Sequence, residues 1–254
     1  MKKVNTIYYN LTKKGDIKMS KNNIYQFQKD LQEGKRAEKE VLQLLSRTNK
    51  ETTIGNNQVT EVWLDKQGID CYLTGSNNEI YSADVKTYQF DISHAEKKGW
   101  FNQGQVLCLE TAGGPESACF SEHWKPTDLV LYYWAGMNPK KIGLEKFQKY
   151  LNKGYTSHLI FEYSFAHFLT EEADVIASNH RGAKVMGNNW SRGSFLNITV
   201  ETLMKIRRNW IQSGGKVNPF VDQFNNELFH LYGLHHFQQT LAYDSLDRRP
   251  QRVL

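Results

Sequence analysis

Two short segments decide the reading of this chain: Gln67-Gly68-Ile69-Asp70-Cys71-Tyr72-Leu73-Thr74 and Glu79-Ile80-Tyr81-Ser82-Ala83-Asp84-Val85-Lys86-Thr87-Tyr88, joined by Gly75-Ser76-Asn77-Asn78. Each flank is rich in branched and aromatic residues, and the Gly-Ser-Asn-Asn linker is a strong turn signal, so the pair reads as an antiparallel hairpin. Side chains alternate across a strand. Asp84 and Lys86 therefore share one face of the second strand, and Tyr81, Ala83 and Val85 take the other. On the first strand Asp70 and Tyr72 share a face opposite Ile69, Cys71 and Leu73. The turn lets Asp70 approach Asp84. Two carboxylates brought together repel unless a positive charge lies between them. Mg²⁺, which favours a few carboxylates with waters and phosphate oxygens, meets that need.

Upstream, Ile24, Phe27, Leu31, Ala37, Val41, Leu44 and Leu45 recur at helical spacing, predicting a helix from Asn23 to about Ser46. With Val41 as zero, Ala37, Leu45, Phe27 and Leu31 span roughly −40° to +80°. Glu38 falls at about +60°, inside that apolar arc, and Glu40 at about −100°, outside it. A glutamate on the sheet-facing side of a helix is costly without a partner, and a metal or Lys86 would serve.

Working outward, Asn56-Asn57 marks a turn before a strand at 59–64. Beyond the hairpin the pattern predicts a helix over 91–105, strands at 106–111 and 128–134, and a helix over 141–153. Strands at 158–168 and 195–199 and a helix from Thr199 to Ser213, capped by Thr199, complete the reading. A leading helix, a sheet of five or more strands and flanking helices define a mixed α/β domain over 23–212. Residues 1–22 form a basic arm, and 213–254 an aromatic, basic tail holding Arg248, Arg249 and Arg252.

Composition narrows the class. At 254 residues, 39% hydrophobic and 13% aromatic, the chain can fill a core. A mean hydropathy of −0.62, without an apolar run near membrane-spanning length, predicts no transmembrane helix. The first ten residues carry lysines but no apolar stretch, so they do not read as a secretory signal. Cys71, Cys108 and Cys119 are too few and too scattered for a disulfide framework or a CxxC zinc site, and a cytoplasmic setting is expected. Net charge is +5, which permits a nucleic-acid partner without demanding one.

The order helix-Glu38, Gly68-Ile69-Asp70, then Asp84-Val85-Lys86 resembles the PD-(D/E)XK nuclease superfamily of restriction endonucleases, Holliday-junction resolvases and phage recombination nucleases. The resemblance covers about Gly34 to Tyr88, with Ile69 where the family often has proline. It implies a restriction-endonuclease-like core, a mixed central sheet flanked by helices. It further implies that Asp70, Asp84, the Val85 carbonyl and Glu38 hold Mg²⁺, for which Mn²⁺ substitutes. Lys86 would orient the attacking water and stabilise the transition state, leaving a 5′-phosphate and a 3′-hydroxyl. The expected activity is a metal-dependent deoxyribonuclease, an endonuclease on duplex or branched DNA, with a homodimer compatible with double-strand cleavage. RNA remains open as a substrate. The rival expectation is a non-catalytic nucleic-acid-binding protein that keeps this fold, its acidic pair stabilised by Lys86.

Other features carry less. Gln103 and Gln105 stand where related nucleases place a polar helix residue near the site. Lys184, Arg192, Lys205, Arg207 and Arg208 offer charge to phosphates, though adjacent Arg207 and Arg208 cannot share one helix face. His94, His123, His158, His167 and His180 lack metal-ligand spacing, and His230, His235 and His236 form at most a weak zinc pattern. Gly113-Gly114-Pro115 lacks the lysine of a phosphate-binding loop.

Overall fold

The computed structural model describes residues 29, 32–37, 39–40, 52–53, 69–74, 78–89, 91–112, 127–187 and 194–221. The chain divides into two units, Met1–Arg36 and Ala37–Leu254. Of the first, Lys29 and residues 32–36 are described, and they are helical. The rest of the account concerns the second unit, a mixed α/β body.

Its elements are β1 (Thr52–Thr53), β2 (Cys71–Thr74), β3 (Ile80–Tyr88), α1 (Ile92–Lys97), β4 (Val106–Ala112), β5 (Leu129–Trp134), α2 (Pro139–Ile142) and α3 (Leu144–Asn152). There follow β6 (His158–Glu162), α4 (Tyr163–Glu171), α5 (Ala173–Asn179), β7 (Ala183–Gly187), β8 (Ser194–Thr199) and α6 (Val200–Gln212). Among the described residues five strands form a mixed sheet in the order β1-β2-β3-β5-β6, and three form a second sheet, β4-β8-β7. The hairpin pairs antiparallel, Cys71 with Ala83 and Leu73 with Tyr81. β3 and β5 run parallel, Asp84 beside Val130 and Lys86 beside Tyr132. A parallel pair needs a long crossover, and here α1 and β4 supply it.

Both faces of the five-stranded sheet are covered, which is why β5, Leu-Val-Leu-Tyr-Tyr-Trp, is buried at every position. One face gathers Cys71, Leu73, Ala83, Val85, Leu129, Leu131, Tyr133 and Ile160 with Ala37, Phe220 and Val221. The other presents Val130, Tyr132, Trp134, Leu159 and Phe161 to β4, β8, α1, α4 and α6. Two side-chain bonds fasten β4 to that face. The Trp134 indole N–H donates to the Val106 carbonyl at 2.9 Å, and the Cys108 N–H donates to the Tyr132 hydroxyl at 3.0 Å.

Several boundaries differ from the sequence expectation. The helix expected over 91–105 ends at Lys97 because Gly99 turns left-handed (φ 73°) and Trp100 N–H bonds back to Ala95. The helix expected over 141–153 is broken at Gly143 (φ 81°) into α2 and α3. The strand expected to run to Phe168 stops at Glu162. Tyr163, Ala166, Leu169 and Thr170 then bury one stripe of α4, a spacing that a short apolar run conceals. Thr199 caps α6 as its sequence suggests, accepting from Thr202 N–H at 3.2 Å. The strand expected at 59–64 lies outside the described residues. The element pairing with the outer edge of β2 is β1.

Candidate functional site

The hairpin brings Asp70, Asp84, Val85 and Lys86 together. Asp70 directly precedes β2, and its N–H donates to the Ala83 carbonyl at 2.9 Å, extending the pairing beyond Cys71. Its carboxylate Oδ2 accepts the Val85 N–H at 2.6 Å. Asp70 is thereby held to the backbone between Asp84 and Lys86. A strand residue sends its N–H and C=O to the same edge, so the Val85 carbonyl faces the side from which Asp70 reaches in.

Asp84 lies on the face that carries Val130 and Tyr132 and is only 2% exposed. Its Oδ1 accepts from the Lys86 ammonium at 2.7 Å, the two side chains sharing a face as alternation requires. Its Oδ2 is buried and has no hydrogen-bond partner among the described residues. A buried carboxylate oxygen without a donor is rare and costly. Lys86 retains 29% side-chain exposure, so the ammonium opens toward solvent.

Past Lys86 the same face becomes apolar and weakly ionisable. Burial pushes the Tyr88 hydroxyl up to about 12 and the Cys108 thiol up to about 11, each raised further by a nearby acidic group. Tyr132 is raised for the same reason, burial above all. These groups stay neutral at pH 7, leaving the charged pair in a poorly solvated setting.

Glu38 lies outside the described residues. Its neighbour Ala37 is buried with Cys71, Ala83 and Val85, on the face opposite Asp84 and Lys86. Glu40, expected outside the apolar arc, pairs with Lys141 at 2.8 Å and accepts from Asn138. Among the described residues no group of three or more His, Cys, Asp or Glu gathers to hold a metal ion. Two carboxylates, one of them with an unpartnered buried oxygen, and a backbone carbonyl still suit a hard cation completed by waters, and that oxygen is the observation that fits one.

Other expected participants have other work. Gln105 is buried and clamps Thr156, donating to its carbonyl at 2.6 Å and accepting its N–H at 2.8 Å, whereas Gln103 is exposed. Arg207 is not offered to phosphate. It is 4% exposed and grips Glu162 through Nε and Nη2, while Arg208 on the next position is exposed. His158 is buried, its Nδ1 bonded to the Ser157 hydroxyl, and burial lowers it to about 3. His167 faces Glu171 at 3.2 Å. Arg192, His123, His230, His235 and His236 lie outside the described residues.

Sequence reasoning missed Asp128. Its carboxylate accepts from both the N–H and hydroxyl of Ser82, at 2.8 and 2.7 Å, locking the start of β5 to β3 two residues before Asp84. The signal was a lone acid at the head of an apolar run, which by itself looks like a solvated strand end. Among the described residues no helix is long and apolar enough to cross a membrane. No family model, curated protein or solved structure matches this chain.

Proposed function

We propose that the chain is a Mg²⁺-dependent nuclease of the PD-(D/E)XK type that hydrolyses DNA phosphodiester bonds, built on a restriction-endonuclease-like core. The observation carrying this reading is Asp84: one buried oxygen on the Lys86 ammonium, the other without a partner, beside an Asp70 carboxylate pinned at Val85. The mixed sheet with the acid-bearing hairpin at its centre supports the same reading.

Asp70, Asp84 and the Val85 carbonyl would hold the cation, with Glu38 as a further ligand. When bound, Mg²⁺ supplies positive charge to the scissile phosphate and lowers the pKa of an attacking water. The chain's own residues do the rest. Asp84 fixes the Lys86 ammonium in place, and Lys86, 29% exposed, orients the water and neutralises charge gathering on the phosphate oxygens. The apolar wall of Tyr88 and Tyr132 limits competing solvent on one side. The basic segments at 1–21 and 248–252 would add backbone affinity that weakens with salt.

The test is incubation of plasmid and single-stranded DNA with the protein in Mg²⁺ or EDTA, beside Asp84→Ala and Lys86→Ala. Cutting that needs Mg²⁺ and disappears in both variants is expected. Wild-type cutting by Asp84→Ala would overturn the reading. One observation favours a second reading, a non-catalytic nucleic-acid-binding protein: the Asp84–Lys86 pair closes without a third acid among the described residues. Such a protein binds DNA equally well in EDTA and leaves it whole; a lack of cutting on DNA would send the same assay to RNA.

A further inference from the structure

We infer that α1, the turn that follows it and α3 form a docking surface for single-stranded DNA, with Trp100 as the base-stacking platform. This rests on the reading that nucleic acid is the substrate, and it specifies the strand form recognised and where that strand lies.

The surface is built from the turn upward. Gly99 in the left-handed region and the Trp100 N–H bond to Ala95 fold the chain back over the end of α1. Phe101 is then driven inward, 4% exposed, between Tyr88 and Tyr155, each ring 5.8 Å away. Trp100 is turned outward and remains 45% exposed, its ring braced edge-on by His94 at 5.5 Å. A large aromatic anchored beside a buried neighbour thus keeps 45% of its surface in water, an exposure that apolar rings ordinarily avoid. Stacking a base would cover that surface.

Charge surrounds it. His94, Lys97 and Lys98 stand at i, i+3 and i+4 on the exposed face of α1. On α3 and its C-cap, Lys146, Lys149 and Lys153 recur at helical spacing and are exposed. Lys146 acts on Asp91 at the start of α1, and Lys153 bonds Glu96 at 2.7 Å, which places this stripe beside the Trp100 turn. Lys153 also sits over the stacked Tyr150 and Tyr155 rings, 5.5 and 6.0 Å from their centres. Five lysines thus face three acids: Asp91, Glu96 and Glu145. A cationic track interleaved with an open aromatic is what single strands need, because their bases present free π-faces that a duplex keeps stacked on one another.

The position also suits the proposed site. Tyr88, against which Phe101 packs, follows Lys86 by two residues on the same face of β3, a step of roughly 7 Å. A strand seated on Trp100 can therefore run along this end of the sheet toward Lys86.

The experiment is fluorescence anisotropy of a labelled oligothymidylate with the full chain in EDTA, across a salt series, beside a duplex of equal length and an oligouridylate. Trp100→Ala should weaken single-strand binding by about 5- to 150-fold, the loss of one stacked base, and leave duplex binding nearly unchanged. Trp100→Phe should retain most of the affinity. Changing both Lys97 and Lys98 to Gln should flatten the log–log salt slope by about 1.4. A Trp100-dependent loss with uridylate as well extends the surface to RNA and still supports it. Wild-type single-strand affinity in Trp100→Ala, or equal losses on duplex and single strand, overturns the inference and leaves the patch to a protein partner or to solvent. Circular dichroism confirms that each variant folds. Binding is read without metal, so this surface can fail while Mg²⁺-dependent cutting survives, and the reverse.

Discussion

Replacing Lys86 by methionine tests the geometry under the proposed site without relying on any activity. The Asp84 side chain is 3% exposed, and among the described residues its donor is the Lys86 ammonium at 2.7 Å. Removing that ammonium leaves both carboxylate oxygens buried and unpartnered, and breaking a buried pair this way costs about 3–5 kcal/mol. Lys86 keeps 29% exposure, so water can follow the gap, and the low end, about 3 kcal/mol, is expected. Asp84→Asn should cost less, about 1–2 kcal/mol, because the amide still accepts from a lysine that reaches water. The double variant should lose less than the sum by at least about 1 kcal/mol, since the buried charge and its partner leave together. Urea denaturation reads all three. In melting temperature the single Lys86→Met loss is roughly 6–12 °C for a body of this size. Mg²⁺ gives the second arm. At ten times its dissociation constant a cation bound to the folded state alone adds about 1.4 kcal/mol, or roughly 3–6 °C, to the wild type. That gain should vanish in Asp84→Asn. If Lys86→Met melts with the wild type, or Asp84→Asn keeps the full Mg²⁺ gain, the reasoning from the unpartnered oxygen fails.

Three further outcomes are expected. Arg207→Ala should cost about 3–5 kcal/mol in urea by stranding the Glu162 carboxylate, while Arg208→Ala stays within about 0.5 kcal/mol; equal effects would contradict the buried pairing. His158 adds a pH dependence. Its folded-state pKa is lowered from 6.5 to about 3, so between those values the unfolded chain takes the proton and the folded chain does not. Stability is therefore fully present above pH 6.5 and falls as pH drops through that window, by up to about 1.4 kcal/mol per pH unit. His158→Gln should flatten the slope of urea midpoints between pH 6 and 4, and an unchanged slope would place the dependence elsewhere. Gln105→Ala should lower stability by about 2–4 kcal/mol in thermal melts, because it strands the Thr156 N–H and carbonyl together. DNA cutting per folded molecule should be untouched, whereas a loss confined to cutting would return Gln105 to the site.

The hairpin was legible because every signal in it agrees. The Gly75–Asn78 linker specifies an antiparallel turn, and alternation sends Ala83 and Val85 into one core and Asp84 toward Lys86 on the other face. The second sheet was not legible. β4 pairs with β8, Leu107 beside Ile198, across a sequence separation that no local pattern reports. β7, Ala-Lys-Val-Met-Gly, is mostly solvated and carries too little alternation to announce itself. The segment after Glu162 is apolar at either period, and only the burial of Tyr163, Ala166 and Leu169 against the sheet makes it a helix. Adjacent Arg207 and Arg208 could not share one helix face, yet which one turns inward depends on Glu162, distant in sequence. Trp100 shows the same limit: composition marks it as apolar, and only the Gly99 turn and the inward Phe101 leave it on the surface.

Two ion pairs in this protein each bury their acid, and their surroundings separate them. In Glu162–Arg207 both partners are buried, 2% and 4% exposed, and both carboxylate oxygens are used: Oε2 by the Arg207 Nε, Oε1 by Nη2 and by the Asn218 N–H. Such a pair leaves neither oxygen without a donor, and apolar residues of similar volume at both positions should hold the fold as well or better. In Asp84–Lys86 the acid is equally buried, but one oxygen has no partner among the described residues and the base keeps 29% side-chain exposure. Folding alone gives no reason to bury a carboxylate and leave half of it without a partner, since a leucine there would pack beside Val130 at less cost. An Asp84→Leu/Lys86→Met protein should accordingly fold at least as stably as the wild type and have lost its response to Mg²⁺. If Mg²⁺ stabilises that double variant as much as it does the wild type, the Asp84–Lys86 pair is structural in the manner of Glu162–Arg207, and the case for a cation at the hairpin falls with it.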